Sequence, residues 1–150
     1  MHTGDTAPDF TLLDQAGEER SLSGLLEAGP VVLFFYPAAM TTGCTKEACH
    51  FRDIGAEFDA VGAQRVGISM DAVDKQAEFS AKHGFDYPLL SDPDGSVAKA
   101  YGVKRRLDLL RTKRSTFVIG TDATILEVIS SELSMTTHAD RALEVLRQAR

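Results

Sequence analysis

Two cysteines, Cys44 and Cys49, stand five positions apart in a segment that changes character within a few residues. An apolar run from Val31 to Tyr36 stops at Pro37, and Ala-Ala-Met-Thr-Thr-Gly then leads into the first cysteine. Downstream, Ala48, Phe51, Ile54, Phe58 and Val61 recur three or four apart, the spacing of a helix's buried face. Cys44 therefore falls in the first turn of a helix that follows the C-terminal end of a strand. Unpaired backbone N–H groups and the positive end of the helix dipole favour a thiolate there. The thiolate is the nucleophilic form of cysteine. Thr41, three residues earlier, is placed to offer its hydroxyl to the sulfur or to an oxygen bound beside it. Pro37 fixes the backbone where the strand ends, and Gly43 lets the chain pass close to a ligand. Singly, these are a strand terminator, an N-cap at Thr41 or Thr42, and a turn glycine. At these joint offsets they point to nucleophilic thiol chemistry.

The rest of the chain must supply the frame. Asp9-Phe-Thr-Leu-Leu-Asp and Glu18-Glu-Arg-Ser-Leu, on either side of Gln-Ala-Gly, read as a short β-hairpin. Residues 21–27 form a helical turn. The run Val31 to Tyr36, apolar throughout, predicts a central strand covered on both faces. One helix is expected over 42–60 and a second buried strand over 64–70. The next helix buries Val73, Ala77 and residues 79–81 and stops at Gly84. A short extended piece follows at 87–90, and a short helix at 96–101. Residues 114–120 and 124–130 read as two strands joined at Thr121-Asp-Ala. A last helix over 138–150 carries Ala142, Leu143 and Leu146 on its apolar side. The order predicts a single domain over 1–150, a three-layer α/β sandwich with a central mixed β-sheet flanked by helices. It fits the thioredoxin-like arrangement.

Composition narrows the function classes. A length of 150 residues with 43% hydrophobic content suffices for one core. A formal charge of −6 argues against a nucleic-acid binder, which carries a basic excess. The start of the chain has no apolar signal segment. The longest clean apolar run is six residues, against roughly 20 for a bilayer span. The expectation is a cytoplasmic protein without a membrane partner, in a compartment that keeps thiols reduced. No cofactor motif is present.

Pro37, Thr41 and Cys44 match the Pro-x-x-x-Thr-x-x-Cys signature of peroxiredoxins. Gly43-Cys-Thr-Lys-Glu-Ala-Cys, continuing to Phe51-Arg-Asp, resembles the peroxiredoxin Q, or bacterioferritin comigratory protein, subfamily. The likeness extends to Gly4-Asp-x-Ala-Pro-Asp-Phe, Phe85-Asp-Tyr-Pro-Leu-Leu-Ser-Asp and Arg114-Ser-Thr-Phe-Val-Ile. The resemblance implies a thiol peroxidase. Cys44 would attack a hydroperoxide and become a sulfenic acid, and Cys49 would resolve it. Thr41 would hydrogen-bond the peroxide and Pro37 would shield the sulfur. Arg114 would lie beside the thiolate, with Glu47 holding it by a carboxylate–guanidinium pair. The implied partners are a hydroperoxide and a thioredoxin or glutaredoxin-like reductant, and the implied state is a monomer, with a dimer open.

Elementary chemistry supports the same parts. In-line displacement on oxygen needs a thiolate, a donor aimed at the leaving oxygen and a fixed cation. Lys104, Arg105, Arg106, Arg111 and Lys113 compete with Arg114 for the last role, and most read as surface charges. Arg114 is chosen because it precedes the strand with the matching Ser-Thr-Phe. Glu47 reads on local grounds equally well as a helix-end acid. The departures from the subfamily are Ala38-Ala-Met40 and Thr42. Met40 makes the entrance more apolar, which predicts organic hydroperoxides reduced at least as well as hydrogen peroxide.

Five residues of helix turn about 500° and rise ~7.5 Å. Cysteines whose Cα atoms are more than about 7 Å apart need backbone movement to be bridged. A Cys44–Cys49 disulfide thus requires the first turns of this helix to unwind. Three other readings stay open. Cys49 is simply packed in a one-cysteine peroxidase. The chain is a disulfide oxidoreductase, although the spacing is not Cys-x-x-Cys. Cys44, Cys49 and His50 bind a metal, although no second ligand cluster accompanies them.

Overall fold

The structure is a computed structural model that describes residues 1–104, 112–132 and 134–149. Arg105, Arg106, Arg111 and the final Arg150 lie outside the described residues.

Two three-residue strands, β1 (Thr11–Leu13) and β2 (Glu19–Ser21), form the expected hairpin. Asp14 organises its turn: the carboxylate accepts the N–H groups of Ala16 and Glu18 and the Nε–H of Arg20. Ser21 caps α1 (Leu22–Leu26) by accepting the Gly24 N–H. There follow β3 (Val31–Phe35), α2 (Thr42–Asp53), α3 (Gly55–Ala60), β4 (Gln64–Ser69), α4 (Val73–His83), β5 (Leu89–Ser91) and α5 (Ser96–Ala100). The chain then runs through β6 (Ser115–Ile119), β7 (Ile125–Ser130) and α6 (Thr137–Gln148).

The seven strands make one mixed sheet in the order β2-β1-β5-β4-β3-β6-β7. The pairs β3–β4 and β4–β5 are parallel, while β6 runs antiparallel to both β3 and β7. The hairpin joins the sheet through an antiparallel contact of Leu13 with Ser91. β3 is buried along its whole length because helices cover both faces of the sheet. Its alternating side chains feed two separate cores. Val32, Phe34 and Tyr36 pack with Cys44, Phe51, Phe58 and Leu143 on one side. Val31, Leu33 and Phe35 pack with Leu22, Tyr101 and Phe117 on the other. This is the three-layer thioredoxin-type sandwich expected from the element order. No helix among the described residues is long and apolar enough to cross a membrane.

Two local expectations are corrected. The single helix over 42–60 is two, broken at Ile54, which leaves helical geometry at φ −103° and ψ 23°. The cause is the buried Arg65. Its Nη1 donates to Phe51 O (3.0 Å), one of the carbonyls left over at the end of α2. Gly55 makes the room, since a Cβ there would sit 2.7 Å from that nitrogen. In α4, Ala81 is exposed, and Gln76 is buried instead. Its amide is satisfied by Tyr36 Oη, Ser69 Oγ and Leu90 O, which makes burial of a polar group affordable.

Candidate active site

The loop between β3 and α2 is held from beneath by a chain of buried polar groups. Tyr36 Oη donates to Gln76 Oε1, Gln76 Nε2 to Ser69 Oγ, and Ser69 Oγ to Asp71 Oδ2. Asp71 Oδ2 in turn accepts the backbone N–H of Ala39 at 2.7 Å. Met40, next along, sits in the left-handed region at φ 69°, which costs a non-glycine residue about 1 kcal/mol. The anchored Ala39 and the packing of Met40 on the core hold that conformation in place. Thr41 is the N-cap of α2, but its hydroxyl turns back to donate to Ala38 O (2.8 Å) and makes no cap bond. Thr41 is exposed and Pro37 half-buried at the mouth of this loop.

Cys44 enters α2 in its first turn and is buried, 1% exposed. Arg114, from the start of β6, reaches it across the sheet. Arg114 Nη2 donates to Cys44 Sγ at 3.2 Å, and Nη1 to Glu47 Oε1 at 2.8 Å. The arginine is 6% exposed and the glutamate is wholly buried, so neither the surface-charge reading nor the helix-end-acid reading holds. Burial works against the charge of Arg114, but Glu47 and Cys44 outweigh it and hold the guanidinium more firmly protonated than usual. Burial pushes the Glu47 carboxyl up to about 7, against the pull of Arg114. The backbone N–H of Arg114 is anchored separately on Glu132 Oε1 (3.1 Å). Gly43 permits this closeness. A Cβ at that position would lie 3.3 Å from both Arg114 Nη2 and Met135 Sδ.

The arrangement offers a buried sulfur nucleophile and a fixed guanidinium behind the loop that carries Pro37 and Thr41. The sequence profile of the AhpC/TSA family matches residues 3–128. The chain belongs to the AhpC/TSA family. Its relatives are peroxiredoxins. One from Mycobacterium tuberculosis is 63% identical, covering 100% of this chain and 99% of that protein. A chloroplast peroxiredoxin Q of Sedum lineare is 39% identical over 96% of this chain and 77% of its own length. Among solved structures, a peroxidoxin of Mycobacterium tuberculosis, BcpB, superposes with a TM-score of 0.97 at 62% identity, covering 100% of this chain and 99% of the other. A bacterioferritin comigratory protein of Xanthomonas campestris, studied for alkyl peroxide reduction, gives 0.86 at 30% identity, covering 93% and 91%. This peroxiredoxin is thus an enzyme, a thiol-dependent peroxidase of the peroxiredoxin Q type.

Of the six residues singled out in the sequence, three converge: Cys44, Arg114 and Glu47. Thr41 and Pro37 stand at the loop that leads to them. Cys49 is half-buried further along α2, and both cysteines are free thiols. Burial pushes the Cys49 thiol up, against the opposing pull of Arg52. His50 is half-buried and ties α2 to α6 through Asp140 (2.7 Å).

The sequence reading missed His138, Thr116 and Asp71. His138 is wholly buried behind Glu47, with Nδ1 2.8 Å from Thr116 Oγ1 and 3.7 Å from Glu47 Oε2. A signal for it existed, because His138, Ala142 and Leu146 lie on one stripe of α6. Asp71 carried no such signal, since its target is a backbone N–H in a loop remote in sequence.

Proposed function

We propose that this peroxiredoxin works through two cysteines of one chain. The Cys44 thiolate attacks the terminal oxygen of a hydroperoxide. An S–O bond forms, the O–O bond breaks, and the alcohol or water leaves once its oxygen is protonated. Cys44 is then a sulfenic acid. The Cys49 thiol attacks it, forming a disulfide and releasing water, and a thioredoxin-like or glutaredoxin-like dithiol restores both thiols. Arg114 stabilises the anionic sulfur and the charge developing on the peroxide. Glu47 fixes the guanidinium, Thr41 hydrogen-bonds the peroxide after its hydroxyl leaves Ala38 O, and Pro37 covers the sulfur. The observation that carries the reading is Arg114 Nη2 at 3.2 Å from Cys44 Sγ, with Nη1 locked on Glu47.

The same reading takes residues 1–150 as one peroxiredoxin domain, a cytoplasmic monomer that needs no metal or cofactor. Organic hydroperoxides fit it, because Met40 packs against the core cluster that holds Cys44, Met135 Sδ lies beside Gly43, and the Xanthomonas campestris relative is linked to alkyl peroxide reduction.

One equivalent of hydroperoxide added to reduced protein, followed by intact mass, tests the cycle. The expected result is a loss of roughly two mass units in wild type, a trapped sulfenic acid in Cys49→Ser and no reaction in Cys44→Ser. Oxygen adducts accumulating on wild-type Cys44 would reduce the cycle to one cysteine. An unreactive Cys44 would end the reading.

A further inference from the structure

Glu47 is wholly buried, yet only one of its carboxyl oxygens is satisfied. Oε1 accepts from Arg114, whereas Oε2 has no hydrogen-bond partner among the described residues. An ionised carboxylate with one bare oxygen in an apolar layer is unfavourable, so that oxygen needs a proton or a donor. Facing it at 3.7 Å is Nδ1 of His138. The imidazole is held at both nitrogens. Nε2 lies 2.8 Å from Ser131 O, which only accepts, so Nε2 carries a hydrogen. Nδ1 lies 2.8 Å from Thr116 Oγ1, a hydroxyl able to donate to a neutral ring or accept from a charged one. Nδ1 is therefore the ring atom free to gain or lose a proton, and it is the one turned towards Glu47.

We propose that Glu47 and His138 hold one proton between them in the reduced enzyme, and that His138 is by this route a positioning residue for Cys44; the inference rests on the peroxidase reading above. With the proton on Oε2 the pair is a carboxylic acid and an imidazole. With it on Nδ1 the pair is a carboxylate and an imidazolium. Either way the pair is neutral and the Arg114 charge is left to the sulfur. When the proton departs to solvent, the bare carboxylate takes its share of that charge, and Arg114 polarises a bound peroxide less.

Among the described residues, the other titratable groups facing the pair are Arg114, Glu132, Cys44 and Tyr87. Glu132 favours retention of the proton at both sites, and Arg114 opposes it at both. Burial holds His138 below the usual imidazole range while pushing Glu47 up to about 7, so near neutral pH the proton rests mainly on the carboxyl.

The two ionisations act on the rate with opposite signs. Loss of the Cys44 thiol proton raises it, and loss of the shared proton lowers it. The second-order rate of Cys44 with hydrogen peroxide should therefore fall severalfold above a midpoint near neutrality, a limb the thiol alone does not produce.

The test records that rate against pH by stopped flow. On the same reduced protein, NMR follows the Glu47 carboxyl carbon and the His138 ring nitrogens. The expected result is one midpoint shared by both residues and by the falling limb. In His138→Asn, which keeps an acceptor near the Nδ1 position but no base, midpoint and limb should move together. A Glu47 carboxyl ionised throughout, a rate that rises to a plateau without falling, or a limb that stays while the midpoint moves would each overturn the proposal. The wild-type spectra decide the proton without any substitution, so a misfolded variant does not remove the test. Cys44 unreactive at every pH would strike the peroxidase reading instead, with the NMR midpoint still answering for the pair.

Discussion

The two halves of α2 each carry a cysteine and are held in different ways. Around Cys44 the first turn has no side-chain cap, and the long-range side-chain bond to it comes from Arg114. From Ala48 onward, β4, α4, α6 and the segment before β5 grip the helix. Tyr87 Oη donates to Ala48 O (2.6 Å), Arg65 to Phe51 O, and Arg52 Nη1 to His83 O (2.6 Å), while His50 meets Asp140. Phe51 stacks on Phe34 with ring centroids 4.2 Å apart. A helix end without a cap and with few tertiary bonds opens at low cost, whereas one whose carbonyls are occupied by buried donors does not. The difference suits a cycle in which the Cys44 end unwinds to meet Cys49 while the rest of the layer stays packed.

The comparison is most directly broken at its one strong contact. Arg114→Gln should lower the second-order rate of Cys44 with hydrogen peroxide by about 100-fold or more, since it removes a preorganised cation from the reacting sulfur. A change of a few fold, measured by stopped flow on folded protein, would show that the first turn does not depend on it.

Stability against pH tests the buried carboxyl behind that contact. Glu47 binds its proton up to about pH 7 in the folded protein, against an ordinary value of 4.5. Between these values the folded state keeps a proton on this carboxyl that the unfolded chain has lost, while buried His138, held below the usual imidazole range, lacks one that the unfolded chain keeps. The stability of wild type relative to Glu47→Gln, in which His138 contributes alike, should therefore fall as pH rises through this window and level off above it, by about 3 kcal/mol at most. Urea titrations of both proteins across the same window measure that difference. A difference that is flat from pH 4.5 to 7 would mean the carboxyl is ionised throughout.

Hydrogen exchange sharpens the comparison along the helix. Oxidation should speed amide exchange over residues 42–50 by about tenfold or more and leave β3 and β4 unchanged. Equal protection in both redox states would rule out unwinding. Tyr87→Phe, which frees Ala48 O, should destabilise reduced protein by about 1 kcal/mol and hasten disulfide formation. An unaltered disulfide rate would place the moving boundary before Ala48. The smallest effect belongs to the half-exposed contact between helices: Asp140→Asn should cost about 0.5 kcal/mol or less in thermal denaturation.

Much of this was legible in the chain. The fully apolar run of β3 marks a strand covered on both faces, and the three-and-four spacing after Pro37 marks α2. The same spacing continued past Ile54 and concealed the break, because what interrupts the helix is Arg65, from the following strand. Gln76 was invisible for a related reason. A polar residue is read as exposed unless its three partners, just past β3 and on β4 and β5, are already in place.

By itself the sequence determined where the candidate nucleophile stands, at a helix start behind a strand, and the order of elements that makes the layered sheet. Those features are local, since periodicity, proline and glycine act over a few residues. Arg114 was chosen among neighbouring cations by resemblance, and only folding brings it 70 positions along the chain to the Cys44 sulfur. Only the tertiary structure set His138 behind Glu47, Asp71 beneath Ala39, and Tyr87 and Arg65 on the carbonyls of α2. Each of these pairs joins side chains to groups remote in sequence, and each depends on burial, which decides whether a polar group is left in water or must find its partner inside.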